Sequence, residues 1–338
     1  MITRSAFKPA WWLKNRHFQT IVPRFYPTPC DFAPFHNIFE LADGDFVELT
    51  WSKKPDTIPA DQPIVLILHG LEGSFDSFYA KRMMNAMHNN GWASVLMHFR
   101  GCGKRTNRKA QTYHSGQTAD VIEFVAELKV KFPTNPLYAI GFSLGGNVLT
   151  KYVGEQNPSG LDGAVVISAP LDLTICSKAL SHGFSKIYQK YLVDKLINST
   201  KDKIDFLKED FPLDITKQQL DELKVLGEFD ELVTAPLNGF EHAQDYYQQC
   251  SGNNFLKTCE TPTLIIHAKD DPFMTEEVIP KFVLPDNIDY RLYEHGGHVG
   301  FLTGSALKPK FWLEEALPAY YESIAAEYLS AVSVPRTQ

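Results

Sequence analysis

Cysteine is scarce: Cys30, Cys102, Cys176, Cys250 and Cys259 are the only five in 338 residues, widely scattered and never in a CxxC pair. That spacing excludes a disulfide framework or a zinc knuckle, and no metal site is expected. Positive charge is not in excess, with 33 Lys and Arg against 40 Asp and Glu, a net charge of -7. A nucleic-acid binder that relies on a basic face is therefore disfavoured, because neutralised phosphates carry most of that affinity. Long apolar runs are absent as well; the purest, Ile64 to Leu68, is far short of the roughly 18 residues of a membrane span. Met1 to Lys14 is basic but lacks the apolar stretch of a secretory signal. A soluble, cytoplasmic chain with reduced thiols is expected, with no nucleic-acid partner and no stable membrane insertion. What is present is globular: 44% hydrophobic and 22% charged residues, on a length that fills one large unit or two ordinary ones.

Short β-rich runs alternate with amphipathic stretches, an α/β signature. Strands are expected at Phe46 to Trp51, Ile64 to Leu68, Ala93 to Phe99, Leu137 to Gly141, Ala164 to Ser168, Thr263 to His267 and Tyr290 to Tyr293. Several are apolar throughout, as buried parallel strands are. Helices are expected at Ser77 to Asn89, Thr118 to Lys131, Ser143 to Val153 and Phe311 to Leu329. Between Asp172 and Lys257 the rhythm breaks into charged helical material. Phe184, Ile187, Tyr188, Tyr191 and Leu192 share one helix face there, and Phe240, Ala243 and Tyr247 repeat the spacing. Because strand character resumes at Thr263, this block reads as an insertion over the sheet. The organisation expected is a proline-rich, irregular N-terminal arm at 1–40, a core at 41–171 and 259–338, and a helical cap insertion at 172–258.

Gly141-Phe142-Ser143-Leu144-Gly145 is a G-x-S-x-G motif between an apolar strand and a helical pattern. A serine on such a sharp turn sits in a strained backbone that only neighbours without side chains permit, and its hydroxyl is pushed into the open. A serine hydroxyl is a poor nucleophile, so it needs a base and a group to orient that base. Asp270-Asp271-Pro272 follows the strand ending at His267, and Glu294-His295-Gly296-Gly297-His298 follows the strand ending at Tyr293. Both lie at carboxyl ends of strands, where α/β sheets hold their sites, in the order Ser, Asp, His. The catalytic set read from this order is Ser143, His298 and Asp271, the residue before proline, with Asp270 as the alternative acid. His295 is read as bracing the loop. Oxyanion donors are expected from the N–H of Leu144, the residue after the nucleophile, and of Leu71 in His69-Gly70-Leu71-Glu72-Gly73. His69 is read as holding that loop.

Other conspicuous residues receive plainer readings. The cations from Arg100 to Lys109 are read as a solvated basic loop, with anion recognition as the alternative. Cys102 has no partner base and is not read as reactive. Trp11 and Trp12 are expected to close over the core, and the carboxylates from Asp202 to Asp214 to form the wet face of the cap.

These residues resemble the α/β-hydrolase superfamily and, more narrowly, the YheT-like esterases, bacterial relatives of the eukaryotic ABHD proteins (AB hydrolase family 4). The resemblance spans most of the chain. It is carried by Asn15-Arg16-His17-Phe18-Gln19-Thr20, His69-Gly70-Leu71-Glu72-Gly73, His98-Phe99-Arg100-Gly101-Cys102, Tyr113-His114-Ser115-Gly116, Gly141 to Asn147 and His295 to Phe301, the last two being very specific. It implies an eight-stranded, mostly parallel sheet with a helical cap, no cofactor, and hydrolysis of carboxylic esters such as acylglycerols or other lipid esters. It places Ser143, one of Asp270 and Asp271, and His298 in the triad. The roles of the Asn15-to-Thr20 and Tyr113-to-Gly116 phrases do not follow from the sequence. Acyl transfer by the same triad, or a ligand-binding protein without turnover, are the competing functions.

Overall fold

The computed structural model describes residues 2–3 and 7–333; residues 1, 4–6 and 334–338, the ends of the expected arm and core, lie outside the described residues. The strands are β1 (Ile2–Thr3), β2 (Phe35–Glu40), β3 (Phe46–Trp51), β4 (Ile64–Leu68), β5 (Ala93–Met97), β6 (Leu137–Phe142), β7 (Gly163–Ile167), β8 (Thr263–Ala268) and β9 (Ile288–Tyr293). They form one sheet in the order β1-β9-β8-β7-β6-β4-β5-β3-β2. All neighbours are parallel except where β3 runs against β2 and β5. The eight strands β2 to β9 are the mostly parallel sheet expected, and β1 adds a two-residue ninth beside β9. A small hairpin, β10 (Leu302–Ser305) and β11 (Lys308–Phe311), stands apart.

The helices are α1 (Arg16–Ile21), α2 (Phe78–Asn89), α3 (Ala119–Lys131), α4 (Leu144–Glu155), α5 (Leu173–Leu180), α6 (Ser185–Leu207), α7 (Lys217–Glu222), α8 (Leu226–Phe229), α9 (Ala235–Leu237), α10 (Ala243–Cys250) and α11 (Trp312–Ser333). Strand β4 explains the layering. Its residues point alternately to opposite faces: Ile64, Leu66 and Leu68 pack with α3 and α4, whereas Val65 and Ile67 pack with α2 and α11. Both faces are covered, so the strand is apolar without alternation. Each such side chain contributes about 1.5–3 kcal/mol by leaving water. Helices α5 to α10 lie between β7 and β8 and form small apolar clusters of their own.

Three expectations are corrected. The first forty residues are not wholly irregular: β2 pairs along β3 from Phe35↔Trp51 to Glu40↔Phe46, and α1 is capped by the Asn15 side chain. Prolines hid both, since β2 is an exposed-edge strand with no proline in it but several before it. Trp11 does not close over the core but is 78% exposed, while Trp12 packs beside Leu13 and Phe311. Nor is Arg100 solvated. Its guanidinium is buried, paired bidentately with Asp120 and singly with Asp43 and Asp45. From α6, Lys203 reaches the same loop and donates to the Asn107 and Lys109 carbonyls, so these cations join elements of the protein to one another.

Candidate active site

Strand β6 runs straight into Ser143, whose φ of 52° and ψ of −121° lie in a region that side chains rarely adopt. The flanking glycines do not share this backbone; what they supply is space. A Cβ on Gly145 would stand 2.4 Å from the His69 carbonyl oxygen, and one on Gly141 2.4 Å from that of Gly145. Helix α4 can therefore press against β4 and β6 only because these positions lack side chains. The turn that results leaves the Ser143 hydroxyl at the carboxyl end of the sheet.

Three side chains from separate loops meet there. His298 Nε2 is 2.9 Å from Ser143 Oγ, and His298 Nδ1 is 2.8 Å from Asp271 Oδ2. A carboxylate can only accept, so the imidazole proton sits on Nδ1 and the Nε2 lone pair faces the hydroxyl. Asp271 is 1% exposed, and its other oxygen accepts the Phe273 N–H at 2.8 Å, fixing the carboxylate plane. Phe273 then stacks on the His298 ring, 3.9 Å between centroids and 14° from parallel. Nothing in the residue pattern points to this contact, because the two residues lie on different loops. Asp270 is turned elsewhere: it accepts from Gly297 N–H at 2.9 Å and lies 3.1 Å from His295 Nδ1. The two aspartates thus take one histidine each, and Asp271, not Asp270, contacts the histidine that faces Ser143.

The loop after β4 passes alongside, close enough that a Cβ on Gly70 would be 3.2 Å from Ser143 Cβ. His69 is buried and locks the loop. Its Nδ1 is 2.7 Å from the Gly70 carbonyl and its Nε2 accepts the Phe99 N–H at 3.0 Å. Burial, with His98 nearby, pushes its pKa down to about 3, so it stays neutral and proton transfer by it is disfavoured. The N–H groups of Gly70, Glu72 and Gly73 are consumed by Tyr79 Oη, Tyr113 Oη and the Gly70 carbonyl. Between them lies the N–H of Leu71. Leu144, as the first residue of α4, has an N–H without a carbonyl one turn back to receive it.

Ser143 and His298 open into a cavity of about 410 Å³ that Leu71, Leu144, Leu173, Leu180, Leu192 and Phe273 line among others. Its volume is in the range of small-molecule sites. Polar groups also reach it. Asp230 lies in a π-helical segment, Asp230–Thr234, and accepts from Tyr247 Oη at 2.6 Å and Thr234 Oγ1 at 2.7 Å. Burial pushes its pKa up to about 6. Cys102 is pushed well up by burial, which leaves it a thiol. The Tyr113-to-Gly116 phrase acquires a place: Tyr113 Oη donates to Glu72 at 2.9 Å, and the Ser115 carbonyl accepts from Asn147 of α4.

Sequence reasoning also missed how α1 engages the site. Arg16 donates to the Asp271 carbonyl, and Thr20 Oγ1 accepts the His298 N–H at 2.9 Å. The Asn15-to-Thr20 phrase marked these residues, but nothing in it pointed to loops more than 250 positions away.

A family model described as the alpha/beta hydrolase fold matches residues 63–305. The chain is 42% identical to an Escherichia coli K12 protein named "Putative esterase YheT", over 97% of this chain and 95% of that one. It is 28% identical to a monoacylglycerol lipase of Saccharomyces cerevisiae, over 71% of this chain and 55% of the yeast protein. Among solved structures, the Pyrococcus furiosus esterase Pf2001 superposes with a TM-score of 0.55 at 15% identity, covering 98% of this chain and 97% of that one, a likeness of fold.

Proposed function

The chain belongs to the α/β-hydrolase family, whose relatives include proteins named as esterases and lipases, and on that premise we propose that it is a serine hydrolase of carboxylic esters. The observation that carries the reading is the unbroken line Ser143 Oγ, His298 Nε2, His298 Nδ1, Asp271 Oδ2, with contacts of 2.9 and 2.8 Å. His298 takes the Ser143 proton as Oγ attacks the ester carbonyl carbon. The carbonyl oxygen becomes an oxyanion, held by the N–H groups of Leu71 and Leu144. Collapse breaks the bond to the alcohol oxygen, which leaves with the proton from His298. Water then gives its proton to His298 and attacks the acyl-enzyme, releasing the carboxylic acid and returning the proton to Ser143. Asp271 keeps the imidazole in the required tautomer and stabilises its charged form.

Residues 41–171 and 259–338 serve as the catalytic core in this reading, 1–40 as an arm packed on it that lends strand β2 to its sheet, and 172–258 as a cap roofing the cavity. Leucines of that cap, Leu173, Leu180, Leu192 and Leu226, supply apolar wall, which suits an acyl chain longer than acetyl and a lipid ester such as an acylglycerol. Among the described residues no helix is long and apolar enough to cross a membrane, and the cysteines are free, in keeping with a cytoplasmic location. Hydrolysis of p-nitrophenyl esters from acetate to palmitate tests the reading. Ser143→Ala is expected to lose about 10⁴-fold or more in kcat, with an optimum at intermediate chain length in the parent. Undiminished hydrolysis in Ser143→Ala would sink it.

A further inference from the structure

The histidine loop does not hold its own shape. Gly297, Val299 and Phe301 all have positive φ, at 58°, 64° and 42°. For a β-branched and an aromatic residue this backbone costs about 1–3 kcal/mol each and persists only when its surroundings over-determine it. The surroundings on one side are α1. Thr20 Oγ1 donates to the Arg16 carbonyl at 2.8 Å, which turns a lone pair toward the His298 N–H, 2.9 Å away. Gln19 grips the far end of the loop, its Oε1 accepting from Leu302 N–H at 2.8 Å and its Nε2 donating to the Leu302 carbonyl at 2.9 Å. Contact is close enough that a Cβ on Gly300 would collide with the Gln19 carbonyl, and one on Gly297 would stand 2.8 Å from the Arg16 carbonyl, Gln19 Cβ and Thr20 Oγ1.

The same short helix reaches the acid. Arg16 donates from its guanidinium to the Asp271 carbonyl. His17, one residue on, is 3.0 Å from Tyr188 Oη on α6; Tyr188 packs on Phe273, the ring stacked on His298. One turn and a half of helix thus touches the base loop, the acid loop and the helix that covers them. Helix α1 belongs to neither the sheet nor the loops that carry the three reacting groups.

We propose that α1 is a clamp that sets the register of the His298–Asp271 pair against Ser143, with Thr20 as its principal positioning residue and Arg16 and Gln19 as its supports. The inference rests on the triad reading above and deepens it. The physical reason is the steepness of catalysis with geometry: displacement of a reacting group by about 1 Å costs on the order of 10²-fold in rate. A base on a strained loop is prone to such displacement. A hydrogen bond to its own main chain, made by a group fixed on another element, removes that freedom without entering the chemistry.

The test uses the full chain and a p-nitrophenyl ester. Thr20→Val keeps the shape of the side chain and removes the acceptor; Thr20→Ser restores it. Thr20→Val is expected to lower kcat about tenfold or more per active site titrated with a fluorophosphonate, with KM within about threefold, and to displace the acid limb of the kcat/KM profile, which reports the base. Thr20→Ser is expected to recover most of the kcat and the parent profile. A Thr20→Val enzyme with parental kcat per titrated site and an unmoved acid limb overturns the clamp, even if its melting temperature falls. Should Thr20→Val fail to fold, Arg16→Met is read in the same way, with a severalfold loss of kcat expected and an unchanged kcat overturning the proposal. Ser143→Ala, run alongside, separates the two ideas. Activity in that variant removes the triad reading itself, whereas an inactive Ser143→Ala beside a fully active Thr20→Val removes only the clamp.

Discussion

Strand β4 and helix α6 both turn apolar residues toward the protein interior, yet water treats them differently. All five residues of β4 are 0% exposed. On α6, Tyr188 and Leu192 are each 8% exposed, while Ile187 and Tyr191 of the same expected face are 57% and 44% exposed, and Phe184 just before the helix is 49% exposed. A central strand has neighbours on both faces by topology, so burial follows once the sheet forms. A helix lying over a cavity is buried only where something reaches it, and here Tyr191 and Leu192 line the cavity while Phe184 and Ile187 lie outside it. In the reading proposed above, the sheet places the reacting groups and the helical segment shapes the space for what they act on. Damage to the first should abolish turnover; damage to the second should redirect it.

The sharpest break lies within one loop of the core. Asp271→Asn is expected to cost about 10³–10⁴-fold in kcat, because the amide cannot hold the imidazole in the working tautomer. Asp270→Asn, which loosens only the contacts to His295 and Gly297, is expected to cost less than tenfold. Steady-state kinetics of the two variants reads the difference, and equal losses would remove the distinction between the aspartates. Next in size is Gly145→Ala. With the His69 and Leu68 carbonyl oxygens 2.4 and 2.5 Å from the new Cβ, α4 must shift, and a loss of about 2–4 kcal/mol in stability is expected in urea unfolding.

Two buried histidines of the core and one buried carboxyl of the helical segment respond to pH with opposite sign. His69 and His267 in the core are pushed down to about 3 and about 4 by burial. An unfolded chain protonates them near 6.5, so below that pH it binds protons that the folded protein refuses. Stability is fully present above about pH 6.5 and falls on acidification, by about 2 kcal/mol for each histidine at pH 5. Asp230, in the helical segment, behaves in the opposite way. Its folded pKa of about 6 is above the unfolded value of 3.8, so the folded form keeps its proton longer and stability falls as pH rises between those values. Asp230→Asn should therefore raise the melting temperature more at pH 8 than at pH 4, with about 3 kcal/mol as the upper bound. A pH-independent change would contradict that assignment. The smallest effect is expected at Leu180, a buried cavity wall of α5. Leu180→Phe should shorten the preferred acyl chain and change kcat/KM on short esters by less than about tenfold, read from the p-nitrophenyl series.

Legibility followed the same division. Apolar runs gave β4 and β5 to within two residues, since a strand buried on both faces has a pattern with few alternatives. The G-x-S-x-G turn and the histidine loop were readable because close approach admits only glycine at fixed spacings. Edge strand β2 and helix α1 were lost among prolines, being short and made stable by what they touch rather than by their own pattern. Within the basic loop only Arg100 misled, for a related reason: it reads as a surface cation, like the exposed Lys104, Arg105, Arg108 and Lys109, until Asp43, Asp45 and Asp120 converge on it from distant positions.

The α/β character, the position of the Ser143 turn, and the two loops from which an acid and a base could come are legible in the residue pattern alone. Those are local matters, set by periodicity and by where a Cβ fits. Which of two adjacent aspartates faces His298, which ring stacks upon it, and which helix holds its backbone emerge only once the chain is folded. Each depends on groups tens to hundreds of residues apart, whose meeting is fixed by packing and by the pairing of buried polar groups.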